Sequence, residues 1–389
     1  MSSVRLNVVL ATAMLSVFFL PCRAGAEVSQ ALINERAHFL AGMPLSEGSP
    51  LKKLEALPDW HGHQDELELR WNRAQASRFK AMSEWSAAEL RPKIDESLPL
   101  LYLFGGPDFV TANMLYPKAP RYILGGLELV GSLPAVEEMP KQKVSLILRD
   151  MRSALRTALR LNFFVTGEMT TDLHRSEFRG VLPLFCAFLA RTKGEIKEIR
   201  YLEINAAGEV QEVPAEMVGK GIIPGVKIVF LAQGESQPQE LYYFRADASD
   251  KALSADHRFL VYLQSLGKVN SFLKAASYLM HTKEFNVVRD TLLAQSVTLL
   301  QDDSGIPFRF FQNSGWKYSL YGNYRKPISD FAWAYQDDFK KQFAVKELVK
   351  PLPYAIGYGH PGDMHLLFAT KAASETPHPE TPSPTPAAQ

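Results

Sequence analysis

The sequence predicts a mixed α/β protein, a sheet flanked by helices, with a helical N-terminal arm and a disordered C-terminal tail. Three observations carry this. Short apolar runs at Leu98–Phe104 and Arg121–Leu124 each end in a glycine pair. Residues 144–159 hold a strict helical apolar face. The 389 residues are 46% hydrophobic and 22% charged, which is enough apolar material for a core and too much for a disordered chain.

Residues 1–26 read as a secretory signal. Arg5 supplies the positive start, Leu6 to Leu20 the apolar segment, and Ala24-Gly25-Ala26 the small-residue cleavage site. That run is shorter than the roughly 20 residues a spanning helix needs. The expected mature chain therefore starts at Glu27, without a transmembrane span, in the periplasm or the medium. Cys22 offers a lipoprotein alternative, against which Pro21 sits where lipidation wants a small, flexible residue. Cys186 lies in an apolar stretch with no neighbouring base and reads as a buried, inert thiol. A net charge of +1 leaves no field to hold nucleic acid or an anionic membrane.

Residues 27–97 form the helical arm, because Leu67, Trp71, Ala74, Arg78, Met82 and Trp85 recur at three- to four-residue spacing over 64–91. The body covers 98–373. It opens with a strand over 98–104, the turn Gly105-Gly106-Pro107-Asp108, a brief helix to Tyr116, and a second strand stopped by Gly125-Gly126. In the next helix Val144, Ile147, Leu148, Met151, Leu155 and Leu159 share one face, opposite a row of arginines. Another helix is expected over 174–192. Hairpins follow at 196–204 with 209–213 and at 226–232 with 239–246. Helices are expected from 257 to 303, a strand at 316–322, a helix near 328–343, and strands at 353–358 and 364–370. Five prolines among the last thirteen residues make 374–389 a disordered tail.

Chemistry has four candidate locations. The strand, glycine turn, helix and strand over 98–128 is a unit that can hold a phosphate or nucleoside, with Glu128 reaching a hydroxyl. Against this, Gly105-Gly106-Pro107 is not G-x-G-x-x-G, and Pro107 removes one binding amide, so Asp108 also reads as a simple helix cap. On a helix capped by Asn270, Lys274, Ser277, Tyr278 and His281 would share one side, a set suited to acid/base work or anion holding. Asp302 and Asp303 would close the following helix at Ser304-Gly305-Ile306-Pro307, at the unfavourable end of its dipole. They would then need compensation from Arg309, Lys274 or other donors. Finally, residues 308–358 hold fourteen of the 42 aromatic side chains; Trp316, Tyr318, Tyr321 and Tyr324 offer faces and hydroxyls to a sugar or peptide, or simply form a core. His61, His63 and Asp65, and His360, Asp363 and His365, match no zinc spacing and read as turn residues. No metal and no cofactor is expected.

At Tyr102-Leu-Phe-Gly-Gly-Pro-Asp108, Tyr122-Ile-Leu-Gly-Gly-Leu-Glu128, Phe272-Leu-Lys-Ala-Ala-Ser-Tyr-Leu-Met-His281 and Gln301-Asp-Asp-Ser-Gly-Ile-Pro307 the chain resembles a group of exported bacterial proteins without an assigned activity. The resemblance spans most of 98–370 and implies that these four segments share one fold and one cleft; it brings no activity or cofactor. It associates a serine with the position before Gly-Pro-Asp, where this chain has Gly105.

Three functions remain open on these grounds. The first is an exported protein that binds a small polar ligand, glycan or peptide in the cell envelope, through Asp108, Glu128, Tyr278, Ser304, Arg309 and Tyr321. The second is a hydrolase or transferase using Asp302, Asp303, Lys274 and His281. The third is a structural partner in an envelope assembly, meeting its neighbours through an apolar patch.

Overall fold

The computed structural model describes residues 28–160, 179–217, 223–312, 314–359 and 362–371. The signal segment and the proline-rich tail lie outside these residues, as do 174–178 of the helix expected over 174–192. The described part of that helix is Leu182–Arg191, which starts with Pro183 in its first turn.

Eleven strands form one mixed sheet: β1 (Leu100–Tyr102), β2 (Arg121–Gly126), β3 (Glu195–Ile204), β4 (Val210–Val213), β5 (Pro224–Leu231), β6 (Gln239–Arg245), β7 (Val269–Leu273), β8 (Ser296–Gln301), β9 (Trp316–Gly322), β10 (Val349–Lys350) and β11 (His365–Lys371). Their order is β10-β9-β11-β8-β7-β1-β2-β6-β5-β3-β4. The central five, β8-β7-β1-β2-β6, run parallel, so all five carboxyl ends share one edge. Antiparallel pairs flank them on both sides, including the two expected hairpins, β3 with β4 and β5 with β6.

The central strands are apolar on both faces because both faces are covered. Leu100, Tyr102, Leu124, Phe272 and Leu300 pack under the arm and the helices Phe109–Leu115, Lys141–Arg160 and Leu182–Arg191. Leu101, Leu103, Ile123, Leu273 and Leu299 pack on the other side, under the helices Arg258–Ser265, Asn286–Gln295 and Asp337–Ala344. All six apolar positions expected to share one face of Lys141–Arg160 are buried. The helix from β1 to β2 covers the first face and the helix from β7 to β8 the second. The winding therefore reverses between β1 and β7, which makes this the switch point where open α/β sheets bind ligands.

The arm is continuous with the first core. Its helix Gln30–Leu40 is capped by the Ser29 hydroxyl, and Phe39 stacks on Trp60, their ring centres 4.7 Å apart. From Pro58 the helix Pro58–Ala74 continues through a π turn at Gln75–Phe79, the helix Lys80–Trp85 and a second π turn at Ser86–Leu90. His61 and His63 lie on that helix rather than in a turn, since Pro58 at its first position starts the helix before them.

Three further expectations are corrected. The helices expected from 257 to 303 are interrupted by β7 and β8. Val269–Leu273 is wholly buried, and over so short an apolar run helical spacing and a two-sided buried strand look alike. Asn270 therefore caps nothing: its side chain donates to the Asp95 carbonyl and accepts from the Thr298 hydroxyl across the sheet. The strand expected at 353–358 is irregular, and β10 precedes it, because Pro351 and Pro353 remove the donors a ladder needs. The helix near 328–343 divides into a 3-10 segment, Ser329–Ala334, and the helix Asp337–Ala344.

Candidate functional site

The two glycine turns end neighbouring parallel strands on the same edge, with Leu100 opposite Tyr122 and the Gly106 amide donating to the Gly125 carbonyl at 3.3 Å. Asp108 caps Phe109–Leu115, as the turn chemistry implies, through the Thr111 amide. Its carboxylate also accepts from the Tyr102 hydroxyl at 2.8 Å and pairs with the Lys274 ammonium. Lys274 and Asp108 are both about 3% exposed, so this is a closed internal ion pair across the switch point. Burial draws the Lys274 ammonium below its ordinary value, and the Asp108 carboxylate opposes that shift.

Lys274, Ser277, Tyr278 and His281 do not share a helix face. They follow β7 in a loop whose backbone is left-handed at Ala275 (φ 50°), Ser277 (φ 51°) and Tyr278 (φ 53°). Three such residues without glycine cost about 1 kcal/mol or more each, and they persist only where the surroundings over-determine them. Here the surroundings are explicit. Asp302 accepts from the Ala275 amide at 2.9 Å, the Ser304 hydroxyl accepts from the Ala276 amide at 2.7 Å, and Lys274 is anchored on Asp108.

Asp302 and Asp303 are buried and hydrogen-bonded, but they do not end a helix: they follow β8, so no helix dipole opposes them. Asp302 is clamped by the Ser304 amide and hydroxyl. Gly357 (φ 59°) makes room for it, since a Cβ there would lie 1.9 Å from Oδ2. Burial, and then the neighbouring Asp303, push the Asp302 carboxyl above the usual range. Asp303 accepts from the Tyr278 hydroxyl at 2.8 Å, and its Oδ1 lies 3.1 Å from Nε2 of His365. Burial lowers the His365 imidazole, but the Asp303, Asp302 and Asp363 carboxylates together leave it raised. His281 contacts the Asp303 carbonyl at 3.1 Å, and burial brings it down to about 4, so it is neutral at pH 7.

The strained loop is the wall between two cavities. On one side, an open crevice of about 90 Å³ lies over the carboxyl ends of β1, β2 and β6; Phe104, Glu128, Phe259, Ser277 and Phe285 line it. On the other, a cavity of about 250 Å³ lies at the ends of β8 and β9 and the start of β11; Tyr278, Asp303, Lys326, Tyr358 and His365 line it. Gly126 lets Glu128 fold back into the crevice, because a Cβ would meet its Oε2 at 2.4 Å. The Tyr243 hydroxyl holds that carboxyl, and burial raises its affinity for a proton.

Two expected ligand residues lie elsewhere. Arg309 is exposed beside the Phe310 ring and pairs with neither Asp302 nor Asp303, whose donors come from backbone, Ser304, Tyr278 and His365. Tyr321 points to the arm's face of the sheet and donates to Glu89, because alternation along β9 turns it away from the second core. Trp316, Tyr318 and Tyr324 pack in that second core. Cys186 is buried, as its apolar stretch implies. His63 is buried against the Leu40 carbonyl. Among the described residues no group of three or more His, Cys, Asp or Glu is placed to hold a metal ion, and no helix is long and apolar enough to cross a membrane.

Sequence reasoning missed Phe104, Phe285 and Tyr358, which enter the cavities from elements that only tertiary packing brings together. Positive φ at Phe104 (64°) had no sequence signal, because nothing in that residue favours it. Comparison with known protein families, curated proteins and solved structures returns no match.

Proposed function

We propose that this chain is an exported binding protein that takes a small polar ligand, glycan or peptide of the cell envelope into the crevice at the switch point of its sheet. One observation carries the reading. Ala275, Ser277 and Tyr278 are held in a costly backbone conformation by three buried anchors, and the segment so held walls two cavities. Lys274, Asp108, Asp302 and Ser304 then act as positioning residues, and Glu128 and Ser277 face the ligand.

The test is equilibrium dialysis of the protein against a small-molecule extract of the host's envelope, with retained compounds identified by mass spectrometry. Leu127, half-exposed at the crevice, is the site for a plug, since Leu127→Trp fills the entrance without disturbing the core. Retention by the wild type and loss in the plugged variant is the expected result. Equal retention by both, or none by either, ends the reading.

A hydrolase or transferase is the second reading, and the Tyr278–Asp303–His365 chain of hydrogen bonds on the second cavity supports it. Conversion of a retained compound, lost in Asp303→Asn, selects this reading over simple binding.

A further inference from the structure

The crevice has an asymmetry of charge that its shape alone does not explain. Its polar lining comprises Glu128, Asp247 and Ser277, and among the described residues no lysine, arginine or histidine borders it. Glu128 is 2% exposed, and among the described residues no basic side chain lies within 4 Å of it; its side chain receives a hydroxyl hydrogen bond from Tyr243. Buried carboxylates in a folded protein are ordinarily paired, as Asp108 is with Lys274 and Asp303 with His365 in this same molecule. Asp302 also lacks a cation among the described residues, but two backbone amides and the Ser304 hydroxyl satisfy it, whereas Glu128 has one hydroxyl donor and borders an open crevice from which a cation can arrive.

The remaining wall is apolar. Phe104, Phe259 and Phe285 present rings to the crevice, and Phe104 and Phe285 meet edge to face with centres 6.0 Å apart. Ring faces attract a cation, and the same rings bury hydrocarbon.

We infer that the crevice selects an organic ammonium ion, with its charged nitrogen on the Glu128 carboxylate and its apolar body against Phe104, Phe259 and Phe285. This rests on the reading of the crevice as a ligand site and narrows it to the class of primary amines with a compact apolar body. A sugar lacks both the charge and the hydrocarbon that this lining complements, and a carboxylate carries the wrong charge.

The experiment compares three probes of one shape on the full chain: phenethylamine, 2-phenylethanol and 3-phenylpropionate, titrated at pH 7.5 by calorimetry. The amine should bind at least tenfold more tightly than the alcohol, and the acid should not bind. Glu128→Gln should cost the amine at least tenfold and leave the alcohol unchanged, while Leu127→Trp should remove both. Should the glutamine variant fail to fold, the pH profile of the wild type serves instead: amine affinity must fall as Glu128 takes up its proton, while alcohol affinity stays level. Binding of alcohol and amine alike, both lost in Leu127→Trp, overturns the ammonium inference and leaves the crevice a ligand site. Preference for the acid, or no binding of the amine, also overturns it, and the dialysis experiment then decides separately whether the crevice binds anything.

Discussion

At the scale of single residues, the buried polar groups divide by what they are paired with. Lys274 and Asp108 satisfy one another inside the molecule, and their role is to hold a loop. Removing one member of such a pair leaves an uncompensated buried charge, which typically costs about 3–5 kcal/mol. Lys274→Met should therefore destabilise the protein by about that amount, measured by urea unfolding. Adding Asp108→Asn, which keeps an oxygen for the Thr111 amide, removes the stranded charge and should restore about half of the loss. Additive effects of the two changes would show that the pair is not coupled. Lys274 follows a strand rather than lying on a helix, and a lysine in an apolar run must find a partner whatever the backbone does.

At the scale of elements, the arm's long helix is keyed to the helix before it by a neutral histidine. Burial brings His63 down to about 4, and its Nε2 lies 3.0 Å from the Leu40 carbonyl. A folded value below the ordinary 6.5 means that the unfolded chain binds a proton that the folded chain refuses. The stabilisation is thus complete above pH 6.5 and is lost as the pH falls towards 4. Relative to His63→Gln, the wild type should lose about 2 kcal/mol between pH 7 and pH 4.5, read from denaturant midpoints at the two pH values. A pH-independent difference would mean that the ring is charged or exposed. This element was legible in the sequence because its three- to four-residue spacing runs far longer than any strand. The two π turns were not, since each adds a residue to a turn without altering composition.

At the scale of the whole molecule, the parallel strands place the segments that follow β1, β2, β7 and β8 on one edge, and the reversal of winding between β1 and β7 opens the crevice there. Export, proposed from the charged start, apolar run and Ala24-Gly25-Ala26, belongs to this scale too. Intact-mass analysis of protein from the native host should find Glu27 as the first residue. An unprocessed Met1 in the cytoplasmic fraction would remove the proposal, and a lipid on Cys22 would replace it with a membrane-anchored form.

By itself the sequence determined the elements whose signal is local. Glycines mark the ends of β1 and β2, although β2 runs through Gly125 and Gly126 and the glycines serve close approach, of Tyr102 to Gly105 and of Glu128 to Gly126; the apolar face of 144–159 is helical because no other period fits it. The two hairpins follow from the same kind of evidence. Tertiary structure alone decided what depends on partners far along the chain. Val269–Leu273 is a strand because β1 and β8 lie on either side of it, supplying hydrogen bonds that a helix would have made within itself. The left-handed loop that follows exists because Asp108, Asp302 and Ser304 arrive from other segments to hold it, and among the described residues none brings a cation to Glu128. Local pattern reports only the conformation a segment prefers, and the site is built where the fold overrides that preference.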